Sequence, residues 1–392
     1  MLVNFWTNTD LRDRHEISFS YRRNPRYKEG MNRHIYPDFP VSAIRMPSEE
    51  ISLVPRRFSN FIINTIDRIM TRIVLDTLFL LFDVIVLTIL FRRINPDCLH
   101  VNNGGYPAAR SARAAVIAGK LAGIKRVIMV VNNMAIGYGT PGRWLDYPVD
   151  RLVTYCTDIF ITGSMAAASR LSEVLRLKPY KIKSIHNGIS LRSANETVIE
   201  TKQRLNLALD FTGVIAGVVA LMEPRKGHRV LIEALSILKK QDYLLANKLV
   251  VWFEGDGPIR KDLETLVYVR GLTDVVKFVG IENNVFDLMN ALDLLILPSV
   301  SMEDFPNVTL EAMGLGKAVL ASSIAGTPEQ IVSRSTGVLV DPNDPEGLAY
   351  ALRNLIDDQG IVRRFGGNGR LRFDRYFSAE VSVGKYLLLY ED

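Results

Sequence analysis

The chain has 392 residues, 48% of them apolar and 23% charged, with two cysteines and a net charge of +6. That length exceeds one ordinary core, so two domains are expected. Cys98 and Cys156 form no disulfide or zinc-ligand pattern, and the polar, Arg-rich residues 1–30 do not read as a secretory signal, which together point to a reducing, cytoplasmic setting. The charge is uneven: residues 1–190 hold 26 Lys and Arg against 15 Asp and Glu, a surplus of eleven cations, while residues 191–392 hold 22 against 27. A basic half suggests an anionic partner. Aromatic-interleaved basic motifs, zinc spacings and recognition-helix patterns are missing, which argues against nucleic acid and for an anionic membrane surface or a lipid-linked acceptor.

In chain order, LVNFWTNTDLRDRHEISFSYR reads as a helix followed by a strand. Residues 73–91, IVLDTLFLLFDVIVLTILF, contain fifteen apolar residues of nineteen. Their insertion gain of about 0.3–0.6 kcal/mol each is offset by two Asp at about 2.5–3.5 kcal/mol each. A spanning helix would also put the first 72 residues across a membrane from the rest of their own domain. Asp76 and Asp83, seven apart, share a helical face with Arg72, so the reading is a mostly buried helix with one narrow wet stripe. An interfacial membrane helix is the second choice. CLHVNNGGYP, VIMVVNN and IFITGS read as strand ends followed by loops, with the helix ARSARAAVIAGKLAG between the first two. KIKSIHNGI closes this half, and a linker with an entry helix follows near residue 190. The domains expected are therefore 1–190 and 191–375, with a tail, 376–392, packing back on the first.

The second half alternates short apolar runs with amphipathic segments. VIAGVVAL, KLVVWFEGDG, VVKFVGI, LLILPS and KAVLAS read as strands; GHRVLIEALSILKK, IRKDLETLVYVRG and VFDLMNALD read as helices. Such alternation implies a parallel, doubly wound α/β sheet whose ligands gather at the strand C-terminal ends. Three turns follow strands there: Pro224-Arg225-Lys226-Gly227, Gly255-Asp256-Gly257 and the loop holding Glu303.

The densest pattern is EDFPNVTLEAMGLGKAV. Glu303 and Glu311 bracket a Phe-Pro-Asn turn that runs into a helix near Val308. A loop entering a helix presents free N–H groups and the positive end of a dipole, which suits a diphosphate. Pro306, lacking an N–H, leaves the donors to Phe305, Asn307, Val308 and Thr309. Glu303 and Glu311 can accept hydrogen bonds from sugar hydroxyls. Acidic residues near a helix start are also common without any ligand. With Arg225-Lys226-Gly227 upstream in the matching order, the pattern resembles the retaining GT-B glycosyltransferases of family four. The resemblance implies two Rossmann-like domains facing a cleft and transfer of a sugar from UDP- or GDP-sugar, with retention. It gives Arg225 and Lys226 to the donor diphosphate, Glu303 to the donor sugar and Glu311 to the ribose or sugar. Gly255 and Gly257 would border the nucleotide, and the backbone at Val279 would face the base; for the glycine turn a plain structural reading stands equally.

In the first half, Gly104 and Gly105 follow a strand and resemble acceptor-side loops of a subgroup of the family; a simple turn explains them as well. Asn132 stands where many relatives carry His. Asn can position a substrate but cannot take a proton at neutral pH. Leu221 and Met222 stand where many carry Arg, and His186 reads as structural. The family's first strand and its Gly-rich loop should precede residue 1, so the first domain is expected to lack that strand. No Asp-x-Asp motif flanks a nucleotide turn, so neither metal nor cofactor is expected. The implied function is transfer to a glycan or lipid-linked acceptor in cell-surface polysaccharide or glycolipid synthesis. The alternative is a GT-B-like module that binds a nucleotide-sugar or glycan without transfer. An epimerase or phosphorylase lacks supporting residues.

Overall fold

The computed structural model describes residues 2–22, 39–44 and 76–391. Arg72 and the first three residues of the 73–91 run lie outside them. Two compact units emerge, one of residues 1–185 with 383–392 and one of residues 186–382.

In the first unit, β3 (Cys98–Asn103), β4 (Arg126–Val131), β5 (Ile159–Thr162) and β6 (Ile182–Ser184) form a parallel sheet in that order. β1 (Phe19–Arg22) and β2 (Val41–Ile44) pair in parallel as a separate two-stranded sheet, and no described strand joins the two. β4 and β5 read IMVV and IFIT and are buried on both faces, as parallel strands covered by helices on either side must be. On one face pack helices Asp76–Ile94, Arg110–Ala122 and Tyr147–Cys156. On the other pack Phe5 and Leu11 from the start of the chain, with Val383, Tyr386 and Leu387 from the last helix.

Helix Asp76–Ile94 departs from the expected wet stripe. Asp83 is turned inward, 1% exposed, with its Oδ2 3.6 Å from Nε of Arg110. Asp76 Oδ1 accepts from the same guanidinium at 2.9 Å. The neighbouring helix supplies one guanidinium that both carboxylates share, in place of solvation by water. The side left to the surface is therefore the apolar one. No described helix is long and apolar enough to cross a membrane.

The second unit holds β7 (Val214–Val219), β8 (Leu249–Glu254), β9 (Val276–Gly280), β10 (Leu294–Leu297), β11 (Ala318–Ser322) and β12 (Val338–Val340). All are parallel, in the order β12-β11-β10-β7-β8-β9. This is the doubly wound order of dinucleotide-binding domains. The strand order reverses between β7 and β10, and the crevice outside their C-terminal ends is where such sheets bind ligands. Two apolar clusters, one on each sheet face, fill the layers beneath the flanking helices. Among them Trp252 and Phe253, adjacent in β8, point to opposite faces and are both fully buried.

Candidate donor site at the switch point of the second unit

The two loops at the reversal are stitched together by their backbones. The chain leaves β7, passes a single 3-10 turn, Pro224–Lys226, and enters helix His228–Gln241 through Gly227 at φ +71°. A Cβ on Gly227 would lie 1.8 Å from the carbonyl oxygen of Pro298, so only glycine lets this turn press against the loop after β10. Val300 N–H then donates to Arg225 O at 2.8 Å. The next turn along is equally tight: a Cβ on Gly257 would meet Met222 O at 2.3 Å, and Met222 N–H donates to Asp256 O. Gly255 N–H donates to Gly280 O at 2.7 Å. The turns after β7, β8, β9 and β10 thus share one edge.

This stitching brings Glu303 to the cations. Its Oε1 accepts from Lys226 Nζ at 2.5 Å and from Ser299 Oγ at 2.8 Å, with Arg225 Nη1 3.6 Å away. Arg225 also pairs with Glu223 at 2.5 Å. All of these partners meet Oε1, so Oε2 of this 6% exposed residue keeps its lone pairs for another donor. Ser299 carries no signal in the sequence, since a small hydroxyl at a strand end means nothing until its neighbour is known.

Beyond Glu303 the chain enters helix Asn307–Gly314, where Pro306 is the N-cap and no side chain caps the first turn. Its leading amides and dipole are left to an anion. Asn307 is exposed, Val308 half-buried and packed on the core, and Thr309 fully buried with no described partner for Oγ1. The Phe305 side chain is a structural wedge: its ring stacks on His186 at 4.8 Å and meets Phe377 at 5.6 Å. His186 in turn bonds Glu329 Oε2 through Nε2 at 3.0 Å. Any role of Phe305 toward a ligand rests on its backbone. Glu311 is half-buried, and burial pushes its carboxyl pKa up, opposed by Arg192. A carboxyl desolvated beside a crevice is a common mark of a binding site. Val279 packs its side chain on the core, leaving its backbone and that of Gly280, at φ +82°, at the strand end. Leu221 is exposed and Met222 fully buried.

The acceptor-side candidates lie in the first unit and form a separate group. Asn132, at the end of β4, spends its amide on Asn102 Oδ1 and Asn103 O, so it ties two strand ends together. Gly104 would have open space around a Cβ, and Gly105 would make only ordinary contacts, with Asn133 Cβ at 3.6 Å and Ala108 Cβ at 4.0 Å. Neither glycine is required by packing. Beside this loop lies a buried ionic knot absent from the sequence reading. Asp150, fully buried, accepts from Tyr106 OH at 3.0 Å and Tyr138 OH at 2.6 Å and pairs with Arg143 at 2.6 Å. Arg143 lies over the Tyr138 ring at 4.4 Å, and Arg113 reaches Asp146 at 3.2 Å. The knot fastens the 102–107 loop to helix Tyr147–Cys156. Among the described residues no group of three or more His, Cys, Asp or Glu could hold a metal ion.

Residues 200–372 match the family model of glycosyl transferases group 1. The chain is similar to the lipopolysaccharide core biosynthesis glycosyltransferase LpsD of Rhizobium meliloti, 34% identical over 43% of this chain and 46% of that protein. It is also similar to a D-inositol 3-phosphate glycosyltransferase of Streptomyces avermitilis, 29% identical over 60% of this chain and 52% of that one. The chain thus spans about half the length of the curated relatives it matches. Among solved structures, a glycosyltransferase from Rickettsia africae superimposes with a TM-score of 0.74 at 17% identity, covering 100% of this chain and 93% of that one. Anabaena HepE in complex with UDP gives 0.71 at 18% identity, covering 95% and 91%. The chain therefore has the GT-B fold, two Rossmann-like domains, and its residues 200–372 match the glycosyltransferases of group 1.

Proposed function

We propose that this protein transfers a hexosyl group from a UDP- or GDP-sugar to a glycan or lipid-linked acceptor, with retention of anomeric configuration. We place it at the cytoplasmic side, in synthesis of a cell-surface polysaccharide or glycolipid. The observation that carries the reading is the Lys226–Glu303 pair at the switch point, next to a helix start that no side chain caps. Arg225, Lys226 and the amides of Asn307–Thr309 would neutralise the departing diphosphate, where charge develops as the glycosidic bond lengthens. Glu303 would hold the donor sugar through Oε2 while Oε1 keeps its cation. Glu311 would take a ribose or sugar hydroxyl. The acceptor hydroxyl would enter on the leaving-phosphate side and pass its proton to that phosphate, so positioning replaces a separate base. This suits Asn132, which cannot act as one.

A second reading, donor binding without transfer, draws on Leu221, exposed where the resemblance expects Arg, and on Asn132, whose amide is already committed to Asn102 and Asn103. Calorimetry and transfer assays separate the two. Lys226→Ala should weaken UDP or GDP binding roughly ten- to a hundredfold, the range for a lost charged hydrogen bond of about 1.5–3 kcal/mol. Glu303→Gln keeps the size and the Ser299 bond, so nucleotide binding should persist while donor turnover falls at least a hundredfold. Unchanged nucleotide affinity in Lys226→Ala defeats the donor-site assignment. Intact binding with no turnover of any donor by the parent chain favours the second reading.

A further inference from the structure

The outward face of helix Asp76–Ile94 takes no part in the donor or acceptor groups. From Thr77 to Phe91 this helix has one ionisable residue, Asp83, and that residue is buried. Leu78, Leu81, Phe82, Ile85 and Ile89 are each 47–57% exposed. At 3.6 residues per turn they fall within an arc of about 100°, opposite the buried Leu80, Val84, Leu87 and Phe91. Arg92 and Arg93 continue the stripe at its C-terminal end, both exposed. Neither forms an ion pair among the described residues; Arg92 donates only to the carbonyl oxygen of Leu121, itself an exposed apolar residue on the next helix. At the other end, Asp76 shares the Arg110 guanidinium with the buried Asp83. The face is thus an uncharged apolar stripe closed by two unbalanced cations.

We propose that this face docks on an anionic lipid surface, with the five apolar side chains in the headgroup–acyl boundary and Arg92 and Arg93 against lipid phosphates. A bilayer interface accepts a single apolar stripe without shape complementarity, and long cationic side chains at its end reach the headgroups while their stems stay with the acyl chains. The eleven-cation surplus of residues 1–190 adds long-range attraction to the same surface. A second copy fits less well. A stable protein interface takes roughly 20–30 residues from each side, and this stripe has five. A two-fold pairing would also set Arg92 and Arg93 against each other or against an Asp76 that is already paired. The inference goes beyond the donor-site reading and does not depend on it.

The test uses the full chain with vesicles of phosphatidylcholine alone or mixed equally with phosphatidylglycerol. The parent should sediment with the anionic vesicles at least tenfold more than with the neutral ones. The preference should shrink as salt rises from 0.1 to 1 M, where the screening length falls from about 10 to about 3 Å. Leu81→Gln with Ile85→Gln, both on the exposed face, should abolish sedimentation with either vesicle. Arg92→Ser with Arg93→Ser should erase the anionic preference. Circular dichroism melting of each variant should match the parent, which separates lost docking from lost folding. Undiminished sedimentation of the Gln variant, or none by the parent, overturns the proposal. So does a parent dimer that the Gln variant converts to monomer while neither sediments, which would assign the face to a second copy. UDP affinity, read alongside, reports on the donor site alone, so failure of one reading leaves the other visible.

Discussion

His228 opens the helix that follows the Lys226 turn, and it is fully buried with no described partner for either ring nitrogen. Its ring lies edge-on to Phe253 at 5.2 Å. Burial, aided by Lys226, lowers its pKa from 6.5 to about 4. A depressed histidine pKa means that the unfolded chain binds more protons than the folded one across that interval, so stability rises with pH there. The contribution is fully present above about pH 6.5 and is lost as pH falls toward 4. Each unit of pH costs about 1.4 kcal/mol, so lowering pH from 7.5 to 5 removes about 2 kcal/mol through this residue. His228→Leu takes away the titrating group at similar size. The variant should be at least as stable as the parent at pH 7.5, since the imidazole satisfies no hydrogen bond there. At pH 5 it should be more stable than the parent by about a further 2 kcal/mol. Urea unfolding followed at Trp252, with Trp6 and Trp144 replaced by Phe, reports on the second unit. Comparing parent and variant cancels other titrations, among them Glu311, whose raised pKa acts in the opposite direction. Parallel stability curves for the two proteins across pH 5–7.5, or an imidazole that titrates near 6.5, would refute the reasoning.

Two further substitutions test how the loops are held. Gly227→Ala should destabilise the second unit by at least 1–3 kcal/mol, the range for a non-glycine residue forced into such backbone, because the added Cβ meets the Pro298 carbonyl at 1.8 Å. UDP affinity should fall with it, and wild-type melting and affinity would show that the turn is free to move. Asp150→Asn should cost the first unit up to about 3–5 kcal/mol, because Arg143 loses its fully buried partner at 2.6 Å and keeps only Asp146 at 3.4 Å, and should spare the second. Equal loss of UDP binding would contradict that separation.

Much of the second unit was legible from sequence because its information is local. Apolar runs such as VIAGVV and LLIL, alternating with amphipathic helices, specify buried parallel strands whatever lies around them. The order of the Lys226 turn and the Glu303 loop along the chain was enough to suggest the donor chemistry. Pairings distant in sequence were not legible. Glu303 meets Lys226 across 77 residues, and which of its oxygens stays open depends on Ser299 and on a glycine that lets two loops touch. The Asp150 knot joins Tyr106, Tyr138 and Arg143, none of which signals the others by spacing. Helix Asp76–Ile94 shows the division most sharply. Its composition determined that it would be helical and apolar, and even that Asp76 and Asp83 share a side. Which side meets water was decided by Arg110 on a neighbouring helix, since a carboxylate turns inward only where a cation waits for it. Local propensity and periodicity belong to the sequence; the choice of partner for each buried charge belongs to the tertiary structure, because only packing brings the opposite charge within reach.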